Sequence, residues 1–309
     1  MFRALRLLIL LLAGLATAAN AQKRIALTYD DVPREPGAFF AVEVRQKMLI
    51  DSLKRAGVAQ AAIFVTTEHF EEPYGRNGAA RIAAYTDAGH VIANHSYAHE
   101  PLSSMSVRAY LADIDLAQSW LAGRAGLRPW FRFPYMDEGN ASRAKHRAVM
   151  QGLVARGLTN GYVTVDAHDW TIDDLVTEAN RKGQRIDFAA VEKLWTGHIV
   201  AAADFYDALA RRVLGRSPVH NLLLHETDLA AMYTPALVAA LKADGWTIVT
   251  ADEAFADPLA GEQPHTPPFI GSRIAMLAAD RGIPLSERDF PHNNDAWLRR
   301  MFETTQGRR

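Results

Sequence analysis

Val91-Ile92-Ala93-Asn94-His95-Ser96-Tyr97-Ala98-His99 is a short apolar β-type run that leads directly into two imidazoles. Rings four residues apart share one face of a helical turn, with Cβ atoms about 5–6 Å apart, near enough to grip one metal ion. The chain holds 11 His, so this spacing gains meaning only from what surrounds it.

Working outward, the same arrangement repeats. β-type runs at 24–29, 61–66, 91–94, 130–133, 162–165, 219–224 and 246–250 alternate with helical patterns at 42–56, 78–88, 107–123, 142–156 and 235–244. Gly57 and Gly89 stop the first two helices. A longer helical stretch covers 172–214, with an interruption at Lys182-Gly183. Strands alternating with helices predict an α/β fold, a parallel sheet or barrel of seven units with crossover helices. Residues 253–309, with several Pro and Gly and one more helical pattern, read as a wrapping extension rather than a second domain.

The reactive residues fall on this map in one place. Asp30-Asp31 ends the first strand, His95 to His99 follows the third, and Arg132 to Tyr135 ends the fourth. Asp166 to Trp170 follows the fifth, and His225 ends the sixth. In a parallel barrel all these carboxyl ends gather on one face, where such barrels build their active sites.

Composition excludes several alternatives. With 49% hydrophobic and 22% charged residues over 309 positions, the chain is globular, and a net charge of -1 supplies no field for nucleic acid or anionic lipid. There is no Cys, so disulfides, thiolate ligands and thiol nucleophiles are absent. Arg3 and Arg6 before the apolar run 7–15, then Ala19-Asn20-Ala21, form a secretory signal over residues 1–21. The expectation is an exported protein, periplasmic or secreted, with no stable membrane span after cleavage. No nucleic-acid partner is expected.

The clusters suit hydrolysis. One carboxylate of Asp30-Asp31 with the two His makes a three-ligand site with open positions, and the other carboxylate can take a proton from water. The same dipeptide also fits a turn or a helix cap. Arg132 can pair with a carboxylate, and Pro134 fixes a loop in which the Tyr135 N–H can face an oxyanion; a surface salt bridge and a packed Tyr fit these residues as well. Asp169-Trp170 joins a carboxylate to a ring that stacks on sugars or fills a core. By the period of two, Leu223 shares a face with His225, an apolar floor beside an imidazole that can act as general acid, with Asp169 orienting the ring.

Together these motifs resemble the polysaccharide deacetylase family, carbohydrate esterase family 4 with the NodB homology domain. Thr28-Tyr29-Asp30-Asp31 resembles T-F-D-D, and His95-Ser96-x-x-His99 resembles H-[ST]-x-x-H. Arg132-x-Pro134-Tyr135 is similar to R-x-P-[YF], Asp166-x-x-Asp169-Trp170 to D-x-x-D-W, and Leu222-Leu223-Leu224-His225 to the final leucine-histidine motif. All five occur in register within roughly 24–250.

The resemblance implies a deformed (β/α)7-type barrel of NodB-like topology over 22–252, with a helical insertion at 172–218. It also implies a divalent metal, usually zinc, held by Asp31, His95 and His99. Asp30 is then the catalytic base, Arg132 its orienting partner, His225 the catalytic acid and Asp169 its tuning partner. Tyr135 supplies a main-chain oxyanion donor, while Trp170 and Leu223 line the groove and acetyl pocket. The implied activity is removal of acetyl groups, N-acetyl above O-acetyl, from a carbohydrate polymer or oligomer. Two departures stand out: Val32 follows Asp31 where Gly is common, and Glu226 follows His225 where Asp is frequent. Two other classes use part of the set. A non-haem iron oxygenase also takes two His and a carboxylate, and a non-catalytic glycan-binding relative keeps Trp170.

Overall fold

The computed structural model describes residues 22–307; the expected signal over 1–21 lies outside them. In chain order the elements are β1 (Arg24–Val32), α1 (Val42–Ala56), β2 (Ala62–Val65), α2 (Gly78–Asp87), β3 (Val91–Asn94), α3 (Val107–Leu121), β4 (Leu127–Phe131), β5 (Asp137–Asn140) and α4 (Arg143–Ala155). They continue with β6 (Thr159–Asn160), β7 (Val165–Asp166), α5 (Asp169–Arg181), α6 (Phe188–Leu214), β8 (Val219–His225), α7 (Asp228–Ala243), β9 (Thr247–Ile248) and α8 (Ala251–Phe255). The chain ends with β10 (Phe269–Ile270), α9 (Arg273–Asp280), α10 (Leu285–Arg288) and α11 (Asp295–Thr305). No helix of the described residues is long and apolar enough to cross a membrane.

A parallel sheet in the order β6-β4-β3-β2-β1-β8-β7 curls into a half-barrel, with β9 pairing the amino end of β1. Helices cover its outer face, so the central strands are buried on both sides and read as continuous apolar runs; β2 and β3 are buried at every position. The deformed barrel expected from the sequence is the observed fold.

The register positions the chemistry. Along the full β1–β8 pairing, Arg24 lies opposite Val219 and Asp30 opposite His225, so the last pair of this ladder sets the two side by side. On the other edge of β1 the register shifts between Tyr29 and Val32. Asp31 takes φ 63° within this irregularity, a left-handed conformation that Asp adopts more readily than most residues. This twist lets Asp30 and Asp31 serve one pocket, although extended neighbours would point to opposite faces. The positive φ falls on Asp31, so Val32 is accommodated without the freedom of a glycine.

The expected fifth strand at 162–165 is different in the structure. Two short strands, β6 against β4 and β7 against β8, flank a buried connection at 161–164. Gly161 donates to the Phe131 carbonyl at 2.7 Å and Thr164 to the Asn221 carbonyl at 3.1 Å, and a Cβ on Gly161 would meet the Phe64 ring at 2.7 Å. The connection lies between diverging pairing partners, which leaves a seam instead of a closed barrel. Arg273 of α9 covers it. Its N–H donates to the Val163 carbonyl at 2.7 Å, its fully buried guanidinium lies 5.0 Å from the Tyr162 ring, and Nη1 reaches the Glu262 carbonyl at 2.6 Å.

The stretch after α8 is thus attached to the sheet. β10 pairs antiparallel with β5, and α11 lies against α5 and α6. The helical stretch at 172–214 is the pair α5 and α6, broken after Arg181.

Candidate active site

Asp31, His95 and His99 converge at the carboxyl end of β1 and β3, each offering a ligand atom within 4.8 Å of the others. His99 Nε2 lies 2.9 Å and His95 Nε2 3.4 Å from Asp31 Oδ1. The two rings, 4.9 Å apart, are not on a helical turn as their spacing suggests. Residues 95–99 form a loop that folds back through left-handed Ser96 (φ 72°) and His99 (φ 54°). Side-chain acceptors hold it: Asn94 Oδ1 receives the Ser96 N–H at 2.8 Å, and Asp113 of α3 receives those of Tyr97 and Ala98 at 2.8 and 3.0 Å. These bonds take the N–H groups that a helical turn would need.

The cluster fits a divalent cation. His95 Nδ1 lies 2.9 Å from the Arg132 carbonyl; a carbonyl only accepts, so the ring proton sits on Nδ1 and the Nε2 lone pair is left facing Asp31. Asp31 Oδ1 is buried and accepts no hydrogen bond. Two ring nitrogens and a carboxylate oxygen gathered this closely make a donor set able to hold a divalent cation.

Asp30 faces the same space from behind a buried ion pair. Arg132 Nη1 donates to Asp30 Oδ1 and to Thr28 Oγ1, both at 2.7 Å, while Nε donates to the Gly161 carbonyl at 2.7 Å. The guanidinium also stacks 3.8 Å from the Phe64 ring centroid. Arg132 therefore has one possible placement, and Asp30 is fixed with it. The other oxygen, Oδ2, lies 3.5 Å from His95 Nε2.

His225 is the second paired group. Asp169, in the first turn of α5, accepts the His225 main-chain N–H at 3.0 Å and lies 2.8 Å from its Nδ1. Burial alone would lower the His225 pKa; the charge and hydrogen bond of Asp169, assisted by Asp31, raise it to about 9. Nε2, 3.9 Å from Asp31 Oδ2, is the protonated atom on the open side.

These groups line a groove of about 540 Å³ that also includes Tyr135, Trp170 and Leu223. Tyr135, at φ 57°, sets its ring 4.8 Å from that of His99. Arg132 and Asp169 stand behind the groove, each acting through the residue it holds. All ten residues singled out in the sequence are therefore gathered at one end of the sheet.

The sequence reading missed several others. Arg34 Nη1 donates to Asp31 Oδ2 at 2.9 Å, and Glu35, His69, Met136 and His168 also line the groove. Arg34 stands three residues after Asp31, and His168 lies inside the D-x-x-D-W motif; both positions were available signals. Glu226, the departure after His225, is fully buried and braces the Arg34 loop. It accepts Tyr85 Oη at 2.7 Å, the Arg34 N–H at 3.1 Å and Arg81 Nη2 at 3.2 Å.

The fold is a deformed (β/α) barrel with the clustered side chains at the carboxyl ends of its strands. Residues 17–151 match the polysaccharide deacetylase family model, the family that the five motifs resemble. A polysaccharide deacetylase from Bacillus cereus is 17% identical, covering 74% of this chain and 92% of its own at a TM-score of 0.52. A family 4 carbohydrate esterase from Streptomyces lividans, in complex with acetate, is 22% identical over 76% of this chain and 96% of its own, at a TM-score of 0.49. A peptidoglycan deacetylase from Bacillus subtilis is 20% identical over 75% and 90%, at 0.46. No curated protein matches the chain.

Proposed function

We propose that this protein is a metal-dependent hydrolase that removes acetyl groups, chiefly N-acetyl groups of amino sugars, from a cell-envelope or secreted glycan. The observation that carries the reading is the β1–β8 register. It sets Asp30 and His225 side by side, each anchored by a buried group of opposite charge and both bordering the Asp31-His95-His99 cluster. Asp31, His95 and His99 would hold the ion, and their two nitrogens and one oxygen favour zinc. A divalent cation in such a site polarises a carbonyl oxygen and makes bound water more acidic.

The chain's own groups supply the remaining steps. Asp30, held by Arg132 with one oxygen free, accepts the proton of the attacking water. The Tyr135 main-chain N–H steadies the developing oxyanion. His225, kept protonated by Asp169, gives its Nε2 proton to the departing amine, so acetate and a free amino sugar leave. Leu223 receives the acetyl methyl and Trp170 the sugar ring. An iron oxygenase would use the three ligands but leave the Asp30–Arg132 and His225–Asp169 pairs without a task. The Arg3, Arg6 and 7–15 pattern supports export to the compartment where such glycans occur.

Replacing Asp30 with Asn, which keeps shape and removes the base, is expected to slow acetate release from an N-acetylated oligosaccharide by about 10²–10⁴-fold while bound metal is retained. Release at the wild-type rate would overturn the assignment of the base.

A further inference from the structure

Beside the groove lies a second cavity of about 320 Å³, and Asp166 and His168 line both. Its other walls come almost entirely from residues 268–293, beyond the five motifs. Three hydrogen bonds fix that stretch against the catalytic end. Gly271 N–H donates to the Met136 carbonyl at 3.2 Å, Arg273 N–H to the Val163 carbonyl at 2.7 Å, and Asn293 Nδ2 to the Asp166 carbonyl at 2.9 Å. The β5–β10 pairing sets Ile270 opposite Asp137, two residues after Tyr135. The cavity is therefore held in fixed register with the groove.

Its surface chemistry is that of a ligand site. Seven large apolar side chains are exposed among the described residues, and three of them border this continuous trough: Tyr135 at 60%, Ile270 at 41% and Leu285 at 60%. Scattered apolar residues need no explanation, but clustering beside a catalytic groove marks a contact surface. Arg288 lines the same cavity, and its guanidinium, which makes no side-chain hydrogen bond among the described residues, stands next to the Asp289 carboxylate whose charge it feels. At the junction, His168 Nδ1 is buried without a hydrogen bond. Aliphatic side chains for the C–H face of a pyranose, with an adjacent guanidinium and carboxylate for its hydroxyls, make a combination suited to one sugar unit. The volume is at the lower end of the range for small-molecule sites.

We propose that this cavity is a second sugar subsite, seating the unit next to the one whose acetyl group is cleaved. Ile270 and Leu285 would pack on its ring, and Arg288 and Asp289 would bind its hydroxyls. The proposal rests on the glycan deacetylase reading above and extends it: chain length would be sensed by residues 268–293, outside the catalytic motifs.

The test compares acetate release from N-acetylglucosamine with that from its β-1,4-linked di-, tri- and tetrasaccharides, using zinc-loaded wild type, Arg288→Gln and Leu285→Asp. The wild type is expected to gain at least about tenfold in kcat/KM between the single sugar and the longer chains, a gain that reflects added transition-state binding. Each variant is expected to lose most of that gain, with the ratio of tetrasaccharide to monosaccharide kcat/KM falling about tenfold. Equal ratios in wild type and both variants would overturn the subsite. If the wild type releases no acetate from any of these sugars, the deacetylase reading fails, and calorimetric titration with the tetrasaccharide judges the subsite separately. Affinity about tenfold weaker in Arg288→Gln supports it, and equal affinity or no binding by the wild type overturns it.

Discussion

Both ends of β8 carry an imidazole beside a carboxylate, His220 with Asp207 at the start and His225 with Asp169 at the finish. His220 is fully buried, with Nε2 3.3 Å from Asp207 Oδ1 and Nδ1 3.1 Å from Thr164 Oγ1. Burial lowers its pKa, and hydrogen bonding to Asp207 does not restore it. The reason lies in how the carboxylate is shared. Asp207 also accepts from Arg211 Nε at 2.8 Å and from Ser217 Oγ, so its charge is already compensated. Among the described residues Asp169 accepts hydrogen bonds from His225 alone, at two atoms, and its charge holds the imidazolium. One pairing therefore locks the closed end of the sheet, and the other keeps a proton ready at the open end.

Three experiments sharpen or break that contrast. The largest effect is expected from Asp169→Asn, which keeps the shape and removes the charge: acetate release should fall about 10²-fold or more, with metal content unchanged. A rate close to wild type would mean that the pair at the open end is merely structural. Next, Asp207→Ala leaves the buried His220 and Ser217 without their shared acceptor and should cost about 1–3 kcal/mol in denaturant unfolding, leaving kcat of the folded protein unchanged. A catalytic loss without a stability loss would reverse the two roles.

The smallest effect concerns pH. The folded-state pKa of His220 lies below its unfolded value of 6.5, so the folded protein binds fewer protons than the unfolded chain in that range. The His220 contribution is full above about pH 6.5 and is lost as pH falls below it, by at most about 1.4 kcal/mol per pH unit. Burial opposes ionisation of Asp207, but its hydrogen bonds from His220, Ser217 and Arg211 depress its pKa, which adds a loss of the same sign at lower pH. Unfolding followed from pH 7.5 to 5.5 should therefore show a steeper decline in wild type than in His220→Gln. Parallel declines would remove His220 from the account.

The same end of the sheet shows how much was readable in the chain alone. The placement of Asp30, His95, Arg132, Asp169 and His225 near the carboxyl ends of strands was legible because buried parallel strands are short apolar runs followed by polar residues, even where the exact last residue was not. Spacing alone misled at His95 and His99, since an i, i+4 pair suits a helix as well as a loop. The choice was made by Asn94 and by Asp113, which belongs to the next helix. The seam at 161–164 was invisible because it depends on how β4 and β8 diverge and on Arg273, which arrives from far along the chain. The β5–β10 ribbon likewise pairs 137–140 with 269–270, and no local pattern announces such a long-range contact. The roles of Arg34 and Glu226 were hidden for a related reason: a charged side chain reads as a surface charge until its partners, here Asp31, Arg81 and Tyr85, are seen.

The most direct measurement of the central claim is acetate release from N-acetylated glycan oligosaccharides by the purified protein, first stripped with a chelator and then reloaded with zinc. The account predicts release by the loaded protein, none after chelation, and recovery on adding zinc. Release that ignores the chelator, or no release from chitin-like, peptidoglycan and exopolysaccharide fragments alike, would contradict it.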